Sequence, residues 1–269
     1  MEKLVEGRRK IAVKAAKEAG KILLDNFKKP IKVKSKEDKS LVTNIDLAAE
    51  RKIVELIKEK YPQDNILSEE NKFKISDSDF RWIIDPLDGT HNYIHQIELF
   101  GTSIALEFKN EIILGVIYLP VTKKLYVAEK NKGTYLYGGF PSSGRDGRRI
   151  NVSQRKLENS TMVYDSSIRY NKKPALSTLE KIADRVFNIR MFGSSVYHLS
   201  SIAEGKIDLD IEFNDKLWDF AAGLLLIEEA GGKATDFAGK KWNSKTKGYI
   251  ASNGIIHQDV LKIIKGRRI

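Results

Sequence analysis

Trp82-Ile83-Ile84-Asp85-Pro86-Leu87-Asp88-Gly89-Thr90 is the stretch on which the reading of this chain turns. Trp82, Ile83 and Ile84 read as a short buried strand, and Pro86 with Asp88-Gly89 predicts a tight turn at its carboxyl end. Two carboxylates are thereby presented together at a sheet edge. Side by side they repel, which raises one pKa unless a cation lies between them. A hard divalent ion such as Mg2+ resolves the repulsion, because it takes oxygen ligands and keeps several waters. Gly89 lets backbone come close to a ligand, and Thr90 sets a hydroxyl beside the amides of the turn, an arrangement that cradles phosphate. Asp-Gly after proline is also ordinary turn chemistry, so the stretch by itself leaves a plain surface turn open.

Two further acidic stretches shift that balance. Ser68-Glu69-Glu70 closes the short apolar run Asn65-Ile66-Leu67, and Trp218-Asp219-Phe220-Ala221-Ala222-Gly223 lies far downstream. In this order, Glu69-Glu70, Asp85-Pro-Leu-Asp-Gly-Thr90 and Trp218-Asp219-x-Ala-Ala-Gly223 resemble the inositol monophosphatase family of metal-dependent, lithium-sensitive phosphatases. The similarity runs from Lys36 to the Gly231-Gly232 pair.

The resemblance implies a layered α/β (α+β) fold, the αβαβα sandwich of inositol monophosphatase and fructose-1,6-bisphosphatase. It further implies two or three Mg2+ ions per active site. Glu69, Asp85 and the carbonyl of Leu87 would hold the first, and Asp85, Asp88 and Asp219 the second, while Lys36 is the best match to a lysine near which a third approaches. Glu69 with Thr90 would position the attacking water, the amides of Gly89 and Thr90 would hold the phosphate, and Asp46 would stand behind the metal ligands. Gly193, Ser194, Ser195 and Glu212 would contact the alcohol half of the substrate, with Asp88 sharing that task. Inositol 1-phosphate is the substrate implied first. Fructose 1,6-bisphosphate is the alternative, and its second phosphate needs cations near the sugar, for which Arg169, Arg190 and Lys216 are candidates. Relatives of this kind are commonly homodimers.

Composition bounds these expectations. With 269 residues, 41% of them hydrophobic, the chain can bury one large core or two closely packed lobes. No run approaches the length of a membrane span, and Met1-Glu2-Lys3-Leu4-Val5-Glu6 does not read as a signal peptide, so a cytoplasmic protein without membrane contact is expected. The absence of cysteine excludes a disulfide framework, a thiolate nucleophile and Cys-ligated zinc. A net charge of +11 raises nucleic-acid binding. The lysines are scattered among glutamates, however, with no aromatic-basic array, so a small phosphorylated polyol or sugar drawn in by a positive field is the expected partner and nucleic acid is not. A basic binding module that kept the fold and lost catalysis is the competing class.

Along the chain, Leu4, Ile11, Ala15, Ala19, Ile22, Leu23 and Phe27 fall at helical spacing, predicting an amphipathic helix over 3–27 that stops before Pro30. Ile31 to Lys34 alternates like a strand, and a polar loop follows over 35–40. A second helix is expected over about 46–60, with Asn44 or Asp46 near its start. Strands are expected over 100–108, 111–119, 124–128 and 133–137. His91 and His95 would share a helical face, but no third ligand accompanies them, so surface histidines are expected rather than zinc. The Gly/Ser-rich stretch Gly138 to Gly147 departs from the family, which has a short Asn-Gly turn there, and reads as an insertion between lobes of about 1–140 and 141–269 of a single phosphatase domain. Beyond it strands and helices alternate, as in a layered α/β sheet. Gly193-Ser194-Ser195 sits at a strand-to-helix junction whose free amides suit anions or sugar hydroxyls. Asp219 at the start of an apolar helix reads as an N-cap, a metal ligand or both.

Overall fold

A computed structural model describes residues 2–36, 40–71, 73, 75–139 and 147–266; most of the Gly138 to Gly147 stretch and the tip of the 35–40 loop lie outside the described residues. The first helix, α1 (Glu2–Asn26), leads through the short strands β1 (Val33–Ser35) and β2 (Leu41–Thr43) into α2 (Asn44–Lys60). Next come β3 (Asn65–Ser68), β4 (Phe80–Asp88), the single turn α3 (Thr90–Ile94), β5 (Gly101–Phe108), β6 (Glu111–Leu119), β7 (Lys124–Glu129), β8 (Gly133–Gly138) and β9 (Arg148–Ile150). The remainder runs β10 (Thr161–Tyr164), α4 (Lys172–Ile182), β11 (Asn188–Arg190), α5 (Ser195–Ala203), β12 (Leu209–Glu212), α6 (Leu217–Glu229), β13 (Lys233–Thr235), β14 (Tyr249–Ser252) and α7 (His257–Ile264).

The strands β3 to β9 lie in chain order in one seven-stranded sheet, parallel only between β3 and β4. A five-stranded sheet has the order β11-β10-β12-β14-β13. Side chains alternate across each strand, and the alternation sorts the core into layers. On β4, Trp82 and Ile84 face a cluster built with α1 and α2, whereas Ile83 faces the cluster that contains α5 and α6. On β10 and β12, Met162, Tyr164, Leu209 and Ile211 face α4 and α7, whereas Val163 faces α5 and α6. The result is the expected α-β-α-β-α sandwich, with α5 and α6 as the filling between the sheets. Strand β9 still belongs to the first sheet, so the chain crosses over only after Ile150.

The filling fits because the residues where α6 meets its neighbours are small. A Cβ on Gly115 of β6 would stand 2.7 Å from the carbonyl oxygen of Ala222, so this glycine admits the helix backbone directly onto the sheet. The Ala221-Ala222-Gly223 run is therefore a packing device, and it fixes where the first turn of α6 delivers Asp219.

Candidate metal and phosphate site

The central stretch folds differently from the tight turn its sequence predicts. Strand β4 continues through Pro86 to Asp88, with an irregularity between Asp85, which pairs with Ser103, and Asp88, which pairs with Gly101. Three steps on β4 thus oppose two on β5. Proline has no N–H for the ladder, so the strand bulges there, and the bulge carries the alternation over by one residue. Without it Asp85 and Asp88, an odd number of residues apart, would leave opposite faces. With it Leu87 joins Trp82 and Ile84 in the core under α1 and α2, while both aspartates face the layer between the sheets. The true turn comes at Gly89, whose φ of 82° is left-handed and whose Cβ would meet the Leu99 carbonyl at 2.8 Å, which leaves room for glycine alone.

Four acids gather at this point. Glu69 leaves the end of β3, its amide bonded to the Ile84 carbonyl at 3.2 Å. Asp85 is 2% exposed and accepts the Leu87 N–H at 3.0 Å. Asp88 accepts from the Ser194 hydroxyl and from the amides of Ser195 (3.1 Å) and Val196 (3.2 Å). Asp219 reaches back to the Lys216 N–H at 2.6 Å. Burial, then the charges of Glu69, Asp88 and Asp219, push the Asp85 carboxyl well above its ordinary range. Asp219 is likewise raised by burial and by Asp215 and Glu69. Asp88 is pushed up to about 6 by burial, against the hydrogen bonds from Ser194, Val196 and Ser195 that favour its anion.

Lys36 lies on the rim as the one cation in direct contact with the four, among the described residues. Its ammonium binds Glu69 at 2.8 Å and Glu70 at 2.7 Å. Burial opposes that charge, but the two carboxylates outweigh it and raise the lysine above its usual value. Glu70 is pushed up to about 7 by burial and by Glu69, in spite of Lys36. Thr43, neither Asn44 nor Asp46, caps α2, accepting from the amides of Ile45 (3.0 Å) and Asp46 (3.3 Å). Asp46 completes the capping box by accepting the Thr43 N–H at 2.9 Å, and its other oxygen meets the Thr90 hydroxyl at 3.0 Å. The same Thr90 oxygen is 3.0 Å from the carbonyl of Leu87. One proton serves two acceptors, so Asp46 and Leu87 compete for it.

The substrate-side candidates separate. Gly193, with a φ of 66°, and Ser194 precede α5, but the amides of that junction are not free: Asp88, more than a hundred residues away in sequence, fills them. Arg169 lines a cleft shared with Glu69, Thr90, His91 and Gly193, where its guanidinium meets the Tyr170 hydroxyl at 2.6 Å. Lys216 borders the cleft that holds Lys36, Glu69 and Asp219. Arg190 lines neither; it folds back onto the Ile189 carbonyl at 2.9 Å, so the bisphosphate argument rests on two cations, not three. Glu212 is buried beside His198, Asp210 and Asp215, and burial followed by Asp215 and Asp210 raises it strongly. His91 and His95 stack at 4.2 Å on the surface, with His95 Nδ1 against its own helix at the His91 carbonyl. The sequence reading missed Asp165, Asp210 and Asp215, since no short motif joins residues that only the second sheet brings together. It also missed Asn92, whose amide donates to the carbonyls of Leu99 (2.8 Å) and Phe192 (2.7 Å) and ties the loop after β4 to the α5 junction.

Buried hard oxygens that repel one another and have already drawn in a lysine ammonium suit a divalent ion such as Mg2+ in donor type and charge. Among the described residues, no three of Glu69, Asp85, Asp88 and Asp219 converge oxygens within 4.8 Å of one another. The hydrogen bonds say why: Asp88 is held by the start of α5, Asp219 by its own helix, and Glu69 by Lys36. Among the described residues, no helix is long and apolar enough to cross a membrane.

Comparison with known proteins agrees with this geometry. The chain is 33% identical over 255 residues, 94% of each chain, to a fructose-1,6-bisphosphatase/inositol-1-monophosphatase of Thermotoga maritima, and 34% identical over 250 residues, 90% of each, to the Nus factor SuhB of Escherichia coli. Its fold matches a T. maritima IMPase with a TM-score of 0.85 at 33% identity over 97% of both chains. It also matches an IMPase/NADP phosphatase solved with Mg2+ and phosphate, with a TM-score of 0.81 at 25% identity over 97% of this chain and 95% of that one. The model of the inositol monophosphatase family matches residues 5–267, so the chain belongs to that family of metal-dependent phosphatases.

Proposed function

We propose that this protein is a Mg2+-dependent phosphomonoesterase that releases phosphate from inositol 1-phosphate. The observation that carries the proposal is the bulge in β4, which turns Asp85 and Asp88 to one face where Glu69 and Asp219 join them. A phosphomonoester dianion repels nucleophiles and its alkoxide leaves poorly. Bound between these acids, divalent ions would supply an activated water and neutralise charge on the departing oxygen. Glu69, Asp85, Asp88, Asp219 and the Leu87 carbonyl would hold them, two or three in number.

The chain's own groups do the rest. Glu69 takes the proton of the attacking water, and Thr90, its hydroxyl proton directed to Asp46 or Leu87, offers a lone pair that orients that water. The amides of Gly89 and Thr90 hold the phosphate oxygens. Gly193 and Ser195 face the alcohol, with Asp88 and Ser194 fixing the junction between them, and Glu212, buried under α5, lines neither cleft. Lys36 must leave Glu69 before the site is loaded, and Glu70 keeps it near. Arg169 and Lys216 support fructose 1,6-bisphosphate as a second substrate, because each lines one of the two clefts that meet at Glu69 and so offers a distant phosphate a cation. As elsewhere in such families, a homodimer is proposed.

The test is phosphate release from inositol 1-phosphate, fructose 1,6-bisphosphate and adenosine 3′,5′-bisphosphate, with Mg2+ and with EDTA. Turnover of the first that disappears in EDTA is expected. Metal-independent binding to RNA without turnover of any ester would overturn the proposal in favour of a basic binding module.

A further inference from the structure

A second group of ionisable side chains lies inside the protein under α5, the helix whose start holds Asp88. Asp210 and Glu212 alternate with Leu209 and Ile211 along β12, so both leave the five-stranded sheet on the face that α5 covers. His198 comes down from α5 to meet them. The three are sealed from solvent, with exposures of 1% for His198, 0% for Asp210 and 4% for Glu212. His198 Nδ1 stands 3.4 Å from Glu212 Oε1 and 3.7 Å from Asp210 Oδ1. Among the described residues, neither ring nitrogen has a hydrogen-bond partner, and neither has Asp210 Oδ1. Buried polar atoms are nearly always paired, so three orphans in one place call for a missing partner.

The spacing identifies that partner. A direct N–H···O bond would bring nitrogen and oxygen to about 2.9 Å. Two ligands held about 2.0–2.2 Å from one ion at a tetrahedral angle stand ~3.3–3.6 Å apart. One atom from each of the three residues falls within 4.8 Å of the others. Asp210 is also braced as ligands usually are, since its second oxygen accepts the Tyr249 hydroxyl at 3.1 Å. Among the described residues, no lysine or arginine pairs with Asp165, Asp210, Glu212 or Asp215, so no side-chain ammonium or guanidinium balances these acids.

We propose that His198 Nδ1, Asp210 Oδ1 and Glu212 Oε1 form a buried three-ligand site for a zinc ion, on residues other than Glu69, Asp85, Asp88 and Asp219. Imidazole with carboxylate suits zinc, whereas Mg2+ and Ca2+ favour oxygen alone. The ion clamps α5 to β12. It thereby fixes the start of α5, on which Asp88 rests, and the carboxylate of Glu212.

The full chain, stripped with chelator, is equilibrated with Zn2+ and then dialysed against excess Mg2+. One retained zinc per chain is expected by elemental analysis, with imidazole scattering in its X-ray absorption spectrum. His198→Gln is expected to lose that zinc, whereas Asp219→Asn and the surface pair His91→Gln with His95→Gln keep it. Zinc washed out of the wild type by Mg2+, which would mean that a water fills the site, overturns the proposal. So does retained zinc with oxygen scatterers only, or equal zinc in His198→Gln. Should His198→Gln fail to fold, the wild-type spectrum together with the surface pair decides. Because no readout involves hydrolysis, the outcome is independent of whether the protein is a phosphatase.

Discussion

Two groups of acids face the same interior layer, one at the cleft and one sealed under α5, and they differ in how their oxygens are employed. At the cleft each carboxylate has a backbone or lysine partner: Asp85 the Leu87 amide, Asp88 the start of α5, Asp219 the Lys216 amide, Glu69 the ammonium of Lys36. Under α5, Asp210 Oδ1 and both nitrogens of His198 have no hydrogen-bond partner among the described residues, whereas Asp165 and Asp215, which line the cleft with Glu69 and Asp219, are partnered by amides and hydroxyls. The comparison teaches that residue type does not separate a reactive cluster from a structural one. An open cluster held by exchangeable partners can admit and release ions, whereas a sealed one can only be completed once.

The largest expected effect tests the open cluster. Asp85→Asn removes the charge on which Glu69, Asp88 and Asp219 all act. Turnover of inositol 1-phosphate with Mg2+ is expected to fall by at least about 10²–10³-fold, the scale of losing one preorganised charge-stabilising group. Thermal stability in EDTA is expected to rise, because a repulsive buried charge is gone. An active Asp85→Asn enzyme would show that the bulge does not place the ligands.

Next in size is the pH response of the cluster without metal. Glu70 at about 7 and Asp88 at about 6 are raised above the usual carboxyl range, so between roughly pH 4 and pH 7 the folded state binds protons that the unfolded state has released. Stability in EDTA is therefore expected to increase as pH falls through this window, by up to about tenfold in the folding constant per pH unit for each acid that titrates. His257, buried between the Thr235 and Ser252 hydroxyls and lowered to about 4 by burial, acts in the opposite direction. It belongs to neither acid group. Melting curves recorded as the difference between EDTA and saturating Mg2+ remove its contribution, and a flat difference would break the contrast between the clusters.

A smaller effect concerns the cleft rim. Arg169→Ala is expected to lower kcat/KM for fructose 1,6-bisphosphate about tenfold, the value of one charge-assisted hydrogen bond, with little change for inositol 1-phosphate. Equal losses on both esters would assign Arg169 to the shared phosphate or to the fold.

How much of this was legible in the sequence depends on distance along the chain. Helix α1, the β5 to β8 meander and the hairpin at Lys109-Asn110, both left-handed with φ of 50° and 64°, follow from local periodicity and turn chemistry. The layered fold and the four cleft acids were legible through three motifs in order. The bulge was not, because Asp-Pro-x-Asp reads equally as a turn, and only pairing with β5 reveals that the strand continues. The junction at Gly193-Ser194-Ser195 was read as open amides because the carboxylate that fills them comes from β4. The group under α5 was invisible for the same reason: His198, Asp210 and Glu212 lie in no shared motif, and the alternation of acids with Leu209 and Ile211 has meaning only once α5 covers that face.

The smallest effect separates a scaffold contact from a site contact at the edge of the open cluster. Thr43 caps α2 and also donates its hydroxyl to Asp46, which in turn receives Thr90. Thr43→Ala leaves the amides of Ile45 and Asp46 without that oxygen, and a loss of about 1 kcal/mol in denaturant unfolding is expected. Burial raises the Asp46 carboxyl against the hydrogen bonds of Thr43 and Thr90, so removing one of them raises it further. A more readily protonated Asp46 is a weaker acceptor for Thr90, whose hydroxyl then turns toward the Leu87 carbonyl. The acid limb of the pH–rate profile is therefore expected to move to higher pH in Thr43→Ala while turnover on its plateau changes little. Thr43→Ser, which keeps the hydroxyl, should restore both the stability and the limb. A stability loss with an unmoved limb would make Asp46 part of the helix cap alone, with no say in how Thr90 meets the substrate.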